Sequence, residues 1–153
     1  MSQSSSFISL CKQGNLSIVK KMLEGNIYQK DKEEGLSWAC DRGHFELVKL
    51  LVEHGVDIHN DNNLPLCWSS DQGHLEVVKY LVENGADIHA NVDAPFRWAA
   101  KNGQLDVVRY LVQQGSDIHA NNDEVLKKAH QYGFHLVVKY LENRMLLEKL
   151  QAV

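Results

Sequence analysis

The chain has 153 residues, 44% of them hydrophobic and 24% charged, and a formal net charge of -4 at pH 7. That length suits one domain of about 150 residues, large enough to bury roughly 68–70% of its unfolded surface without disulfide or metal staples. The negative balance argues against a nucleic-acid partner, which needs a basic field to meet phosphates, and no run approaches the ~18 apolar residues of a membrane span.

Residues 1–6, MSQSSS, are polar and expected to fray; they lack the basic start and apolar stretch of a secretory signal. Phe7–Gln13 reads as a short apolar helix stopped by Gly14, and Leu16–Glu24 as a second helix ended by Gly25-Asn26. The polar outward positions Ser9, Ser17, Lys20 and Lys21 mark this pair as an N-terminal cap, since the end layer of a stack has one face in water. Residues 27–34, IYQKDKEE, read as a charged connector. Regular pairs follow. The first helices are Leu36–Arg42, Leu66–Gln72, Phe96–Asn102 and Leu126–Tyr132, stopped at Gly43, Gly73, Gly103 and Gly133; the second helices end at Gly55, Gly85 and Gly115. Glycine at such a stop supplies the left-handed residue that closes a helix. In the helix after His74, the apolar arc of Leu75, Val77, Val78, Tyr80, Leu81 and Val82 is too wide for a single stripe and suits a helix sandwiched between layers. Lys79 and Glu83, at i and i+4, fall on its remaining wet face. The segment HLVVKYLENRMLLEKL has no glycine stop and reads as one longer helix, His135 to about Leu150, closing the stack.

The segment HLEVVKYLVENGADIHA, from His74 to Ala90, is nearly repeated upstream from His44 to Asn60 and downstream from Gln104 to Ala120, at the same spacing in both directions. A fixed period of this size marks a repeat architecture. Gly73-His74-Leu75-Glu76-Val77-Val78-Lys79-Tyr80-Leu81 followed by Gly85-Ala86-Asp87 resembles the ankyrin repeat almost position by position, and the likeness covers nearly the whole chain. It implies an all-α repeat solenoid, a stack of helix-turn-helix layers. The layout is a single domain over 1–153, with caps at 1–30 and 123–153 around full repeats at 31–62, 63–92 and 93–122. The Asp-Ile-His-Ala-Asn turn is similar to those of ankyrin proteins of giant DNA viruses of amoebae, which would make the partner a host protein.

The period of 30 is shorter than the family's, which is about 33. The missing residues fall where the family forms a β-hairpin, so the hairpins should shrink to tight turns. Of the family's Thr-Pro-Leu-His motif, Pro65-Leu66 and Pro95-Phe96 remain. The usual capping Thr is replaced by Glu34, Leu64, Ala94 and Glu124, so the cap is expected one residue earlier, at Asn63, Asp93 and Asp123.

No nucleophile–base pair, phosphate loop or Gly-x-Ser-x-Gly elbow appears, so no enzyme activity and no cofactor is expected. Cys11, Cys40 and Cys67 read as small buried thiols; an odd, scattered set is no disulfide framework and favours a reducing compartment, inside a cell and cytoplasmic. His59, His89 and His119 occupy equivalent positions. Layers stack about 8–10 Å apart, too far for ligands that must sit about 2 Å from one zinc ion, so these histidines, with His44 and His74, are read as turn and inter-repeat hydrogen-bonding groups. Asp57, Asp87 and Asp117 read as turn-fixing carboxylates. Trp38, Trp68 and Trp98 recur with the same period and read as a stacked ladder between repeats; an aromatic ligand box would instead need the rings exposed on one groove.

What varies between repeats is the better candidate for function. The resemblance places the residues before the helix-stopping glycines on a concave, partner-binding groove: Asp41, Arg42, Asp71, Gln72, Lys101, Asn102, Gln131 and Tyr132. The turns add Asp61, Asn62, Asn91, Asp93, Asn121 and Asn122, while Ser37, Cys67, Arg97 and Lys127 border the same face. The groove runs from acidic (Asp41, Asp61, Asp71) to basic (Arg97, Lys101, Lys127, Lys128). The reading is a protein-binding module with no nucleic-acid, membrane or metal partner, a monomer or weak dimer. The alternative is an assembly protein that self-associates through its ends, where Met145, Leu146, Leu147 and Leu150 form an apolar cluster.

Overall fold

The computed structural model describes residues 3–121 and 123–152. The described residues form helix pairs stacked as layers: α1 (Gln3–Gln13) with α2 (Leu16–Leu23), α3 (Gln29–Arg42) with α4 (Phe45–Glu53), α5 (Asn60–Gln72) with α6 (Leu75–Glu83), α7 (Ala90–Lys101) with α8 (Leu105–Gln114), and α9 (Glu124–Gln131) with α10 (His135–Gln151). No strand occurs among the described residues. First helices pack on first helices and second helices on second helices from layer to layer. The core is correspondingly periodic: Leu51, Leu81, Leu111 and Leu141, which hold the same register position in successive layers, are all fully buried, as are Leu36, Leu66 and Phe96 on the first helices.

Three expectations need correction at the N-terminal end and on the back of the stack. Residues 3–6 are already helical, and the charged stretch from Gln29 is the opening of α3 rather than a connector. Gly35 lies inside that helix because α1 runs against it: a Cβ there would sit 2.9 Å from Cys11 Sγ and 3.0 Å from Phe7. Lys79 does not pair with Glu83; its ammonium lies 5.8 Å from the Tyr110 ring centroid in the next layer, and Arg109 repeats this over Tyr140 at 5.7 Å.

The layers are tied in two further ways. Gly43 is left-handed (φ +69), and a Cβ on it would lie 2.5 Å from His74 Nδ1, because the ring of His74 fills that space. His74 Nε2 donates to the Asp41 carbonyl of the previous layer (3.0 Å), His44 donates likewise to Lys12 (3.1 Å), and Gln104 takes the role by donating to Asp71 (3.0 Å). A carbonyl can only accept, so this fixes the imidazole tautomer with hydrogen on Nε2.

The second tie replaces the hairpins. Asp61, Asn62 and Asn63 have φ of 45, 60 and 63, and Asn91, Val92 and Asp93 have φ of 51, 58 and 53, so each trio winds one left-handed turn. Asn121 and Asp123 are left-handed too; Asn122 lies outside the described residues. The expected caps therefore do another job. Asn63 Oδ1 accepts from the His59 imidazole (3.1 Å) and from the Asp87 amide of the next layer (2.9 Å). Asp93 Oδ1 accepts from His89 (3.0 Å) and from the Asp117 amide (3.1 Å). Asp123 precedes α9 but its side chain caps nothing, and it bonds His119 instead. Asp57, Asp87 and Asp117 fix each turn by accepting from the amides of His59, His89 and His119 at 2.8–2.9 Å. His59 and His89 thus act within their own turns, where Asn63 and Asp93 carry the bond to the next layer, whereas His119 also reaches Glu148 on α10 through Nε2 (3.0 Å).

Left-handed backbone costs an L-residue about 1–2 kcal/mol, least for Asn and Asp, whose short side chains bond locally. Val92 is β-branched and 62% exposed, so it bears this cost with little burial in return. Val92→Asn, the residue found at the equivalent Asn62, is expected to raise stability by about 1 kcal/mol. Urea unfolding measures it; a loss of stability would mean that the turn is not left-handed.

Candidate partner-binding face

The first helices form a continuous face along the stack, and the tryptophans stand on it. Trp38, Trp68 and Trp98 are all half-buried. Trp68 and Trp98 meet edge to face, with centroids 5.5 Å apart. Trp38 departs from a ladder: Lys12 Nζ lies 3.9 Å from its ring centroid, and it shares with Trp68 the walls of an open cleft of about 530 Å³ between α3 and α5. Leu64 adds apolar surface there, while Lys30, Glu33, Glu34, Ser37, Asp41 and Asp61 make the rim. A smaller cleft of about 170 Å³ between α7 and α9 is lined by Arg97, Trp98, Lys101, Glu124, Val125 and Lys128. The rings are thus half-buried along one face, with Trp68 and Trp98 packed on each other and Trp38 and Trp68 each presenting part of a ring to the larger cleft.

The sequence-derived candidates divide into groups. Asp71, Gln72, Lys101 and Asn102 come together: Asn102 and Gln72 donate to the two Asp71 carboxylate oxygens, and Lys101 lies close enough to act on its charge. Asp41 pairs with Arg42 at 3.1 Å. Asp61, Asn62 and Asn91 are exposed at the turns. Gln131 and Tyr132 are exposed on the last layer, the Tyr132 ring 6.3 Å from Phe134. Lys127 is exposed, while Lys128 is held by Glu124 at 2.8 Å.

Three candidates do not behave as surface groups. Asp93 is 6% exposed and its carboxylate is consumed by His89 and Asp117, so it is part of the scaffold. Cys67 is 2% exposed. Arg97 folds back on the left-handed turn, with Nε donating to the Val92 carbonyl (2.8 Å) and Nη2 to Asn91 (2.9 Å); its charge still reaches the small cleft. The sequence reading gives Trp38 and Trp68 as an inter-repeat ladder, with a groove-facing box only as the alternative, and does not name Glu33, Glu34 or Leu64 as groove residues; the period of the tryptophans alone does not say which way a ring faces.

Cys11, Cys40 and Cys67 are buried and unpaired. Burial pushes Cys11 and Cys67 up to about 12 and raises Cys40 further, so none is a thiolate at neutral pH. No group of His, Cys, Asp and Glu able to hold a metal occurs among the described residues.

Comparison with known families agrees with this geometry. A family model described as ankyrin repeats in three copies matches residues 7–92, and a single ankyrin-repeat model matches 91–123. A segment of 45 residues is 49% identical to an acyl-CoA-binding domain-containing protein 6 homolog from Dictyostelium discoideum, which is 26% of this chain and 16% of that protein.

Burial raises the Asp71 carboxyl above its ordinary range; Lys101 and the Asn102 bond lower it, and Asp41 raises it again. A folded-state pKa above the unfolded one makes ionisation a penalty, absent below the unfolded pKa and growing as pH rises through the folded one. Asp71→Asn is therefore expected to match or exceed the native stability at pH 7 and to lose that advantage below the carboxylate range. Thermal unfolding of both proteins at several pH values checks it; a variant less stable than the native chain at pH 7 but level with it at low pH would reverse the sign.

Proposed function

Because the chain belongs to the ankyrin-repeat family, whose members are generally protein–protein interaction modules, we propose that it binds a protein partner through its first-helix and turn face and performs no catalysis. The observation that carries this is the pair of half-buried rings, Trp38 and Trp68, walling an open cleft with a charged rim. Large flat side chains that stay partly wet in the free protein are what interfaces use as anchors: they offer much contact area at little entropic cost, and truncating one costs about 2 kcal/mol or more at a hot spot. The cluster of Asp71, Gln72, Lys101 and Asn102 lies along the same face and supplies charge and hydrogen bonds for specificity.

We place this binding inside a cell, cytoplasmic, where buried thiols remain reduced. The Asp-Ile-His-Ala-Asn turns favour a lineage among giant amoebal virus ankyrin proteins, with a host protein as partner. No described helix is long and apolar enough to cross a membrane. A second reading, self-association through the C-terminal end, is favoured by one observation: Leu146, Leu147 and Leu150 on α10 are 55%, 48% and 66% exposed.

Affinity capture with the native chain, Trp68→Ala, Asp71→Lys and Lys101→Glu tests the first reading, with circular dichroism confirming folding. A specific partner is expected to be retained by the native chain and lost at least about 30-fold by Trp68→Ala, with a weaker loss in the charge variants. Unchanged capture by all three contradicts the groove. Sedimentation as a dimer that Leu147→Glu dissolves would instead support the second reading.

A further inference from the structure

We infer that the cleft between α3 and α5 receives a cationic side chain, arginine or lysine, presented by the partner protein. The inference rests on the proposal that this face docks a partner and names the chemistry it recognises. The walls are the indoles of Trp38 and Trp68 with Leu64, and the rim carries four carboxylates (Glu33, Glu34, Asp41 and Asp61) against one ammonium, Lys30. Asp41 already pairs with Arg42, whereas Glu33, Glu34 and Asp61 enter no ion pair among the described residues. An indole face attracts a cation through its quadrupole, and a planar guanidinium also stacks on it. Trp38 shows this affinity within the chain, since it holds Lys12 Nζ at 3.9 Å; Lys12 is not among the residues lining the cleft, which stays open at about 530 Å³.

The neighbouring cleft makes the assignment selective. Between α7 and α9 the lining is Arg97, Lys101 and Lys128 against a single Glu124, around the third tryptophan, Trp98. There the aromatic wall shares its cleft with the protein's own cations, which disfavour an incoming arginine. One face thus carries two tryptophan clefts of opposite sign, and only the acidic one suits a basic side chain.

The three tryptophans supply their own reporters. The indole N–H signals of the intact protein are assigned with Trp→Phe variants and followed by NMR while a short blocked Gly-Arg-Gly peptide is added. A parallel titration uses the peptide with citrulline in place of arginine, which keeps the shape and removes the charge. The expected result is a saturable shift of the Trp38 and Trp68 signals with arginine and little with citrulline. The Trp98 signal should move less, and the double variant Glu34→Gln, Asp61→Asn should weaken binding about tenfold. Equal shifts with both peptides, a shift led by Trp98, an unaffected double variant, or no shift at all would overturn the assignment. Equal shifts would do so while leaving the face as a docking surface, and the Trp68→Ala capture experiment judges that reading separately.

Discussion

The hydrogen bond from the Asp87 amide to Asn63, and its successor from Asp117 to Asp93, is the constraint that lets these short repeats stack through turns without hairpins. A repeat this short leaves no room for a hairpin between layers, yet the backbone at each crossing still needs partners. The chain meets this by winding three residues left-handed, which swings the last of them over the next layer's turn. A side-chain oxygen then accepts the next layer's turn amide. It is shared with an imidazole of the same turn, so the acceptor is held in place by its own layer and used by the next. The backbone strain is tolerable because most of these positions are Asn or Asp, the residues that visit this region at least cost.

That solution shapes the surface. The first helices line one face of the stack, and Trp38 and Trp68 wall its larger cleft. The same short crossing explains why Arg97 bends back onto Val92 and Asn91, where it satisfies turn carbonyls rather than facing solvent freely. The charged groups left over are segregated: carboxylates gather over α3 and α5, and cations over α7 and α9. Such a gradient contributes more to orientation and choice of partner than to affinity.

How much of this the sequence disclosed follows from the range of each interaction. Helices such as α4, α6 and α8 were legible to within a residue or two, because their signals are local: an apolar period and a glycine stop. The long closing helix α10 was legible for the same reason, by the absence of that stop. The left-handed turns were not. Asp61-Asn62-Asn63 is a composition suited to positive φ, but Asn91-Val92-Asp93 hides the signal behind a valine, and helix capping was an equally local use for Asn63 and Asp93. The groove was half legible. Asp71, Gln72, Lys101 and Asn102 were placed together through the family likeness, and they meet. The exposure of Trp38 and Trp68 depends on how neighbouring layers pack, which no residue pattern within one repeat encodes.

Amide hydrogen exchange at Asp87 in the intact chain measures the central tie most directly. With Asn63 accepting from it, the Asp87 N–H should exchange far more slowly than an open turn amide, and Asn63→Ala should abolish that protection while leaving the Asp117 N–H, held by Asp93, protected. Fast exchange at Asp87 in the native chain, or protection that survives Asn63→Ala, would contradict the ladder of turns as the element that joins the layers.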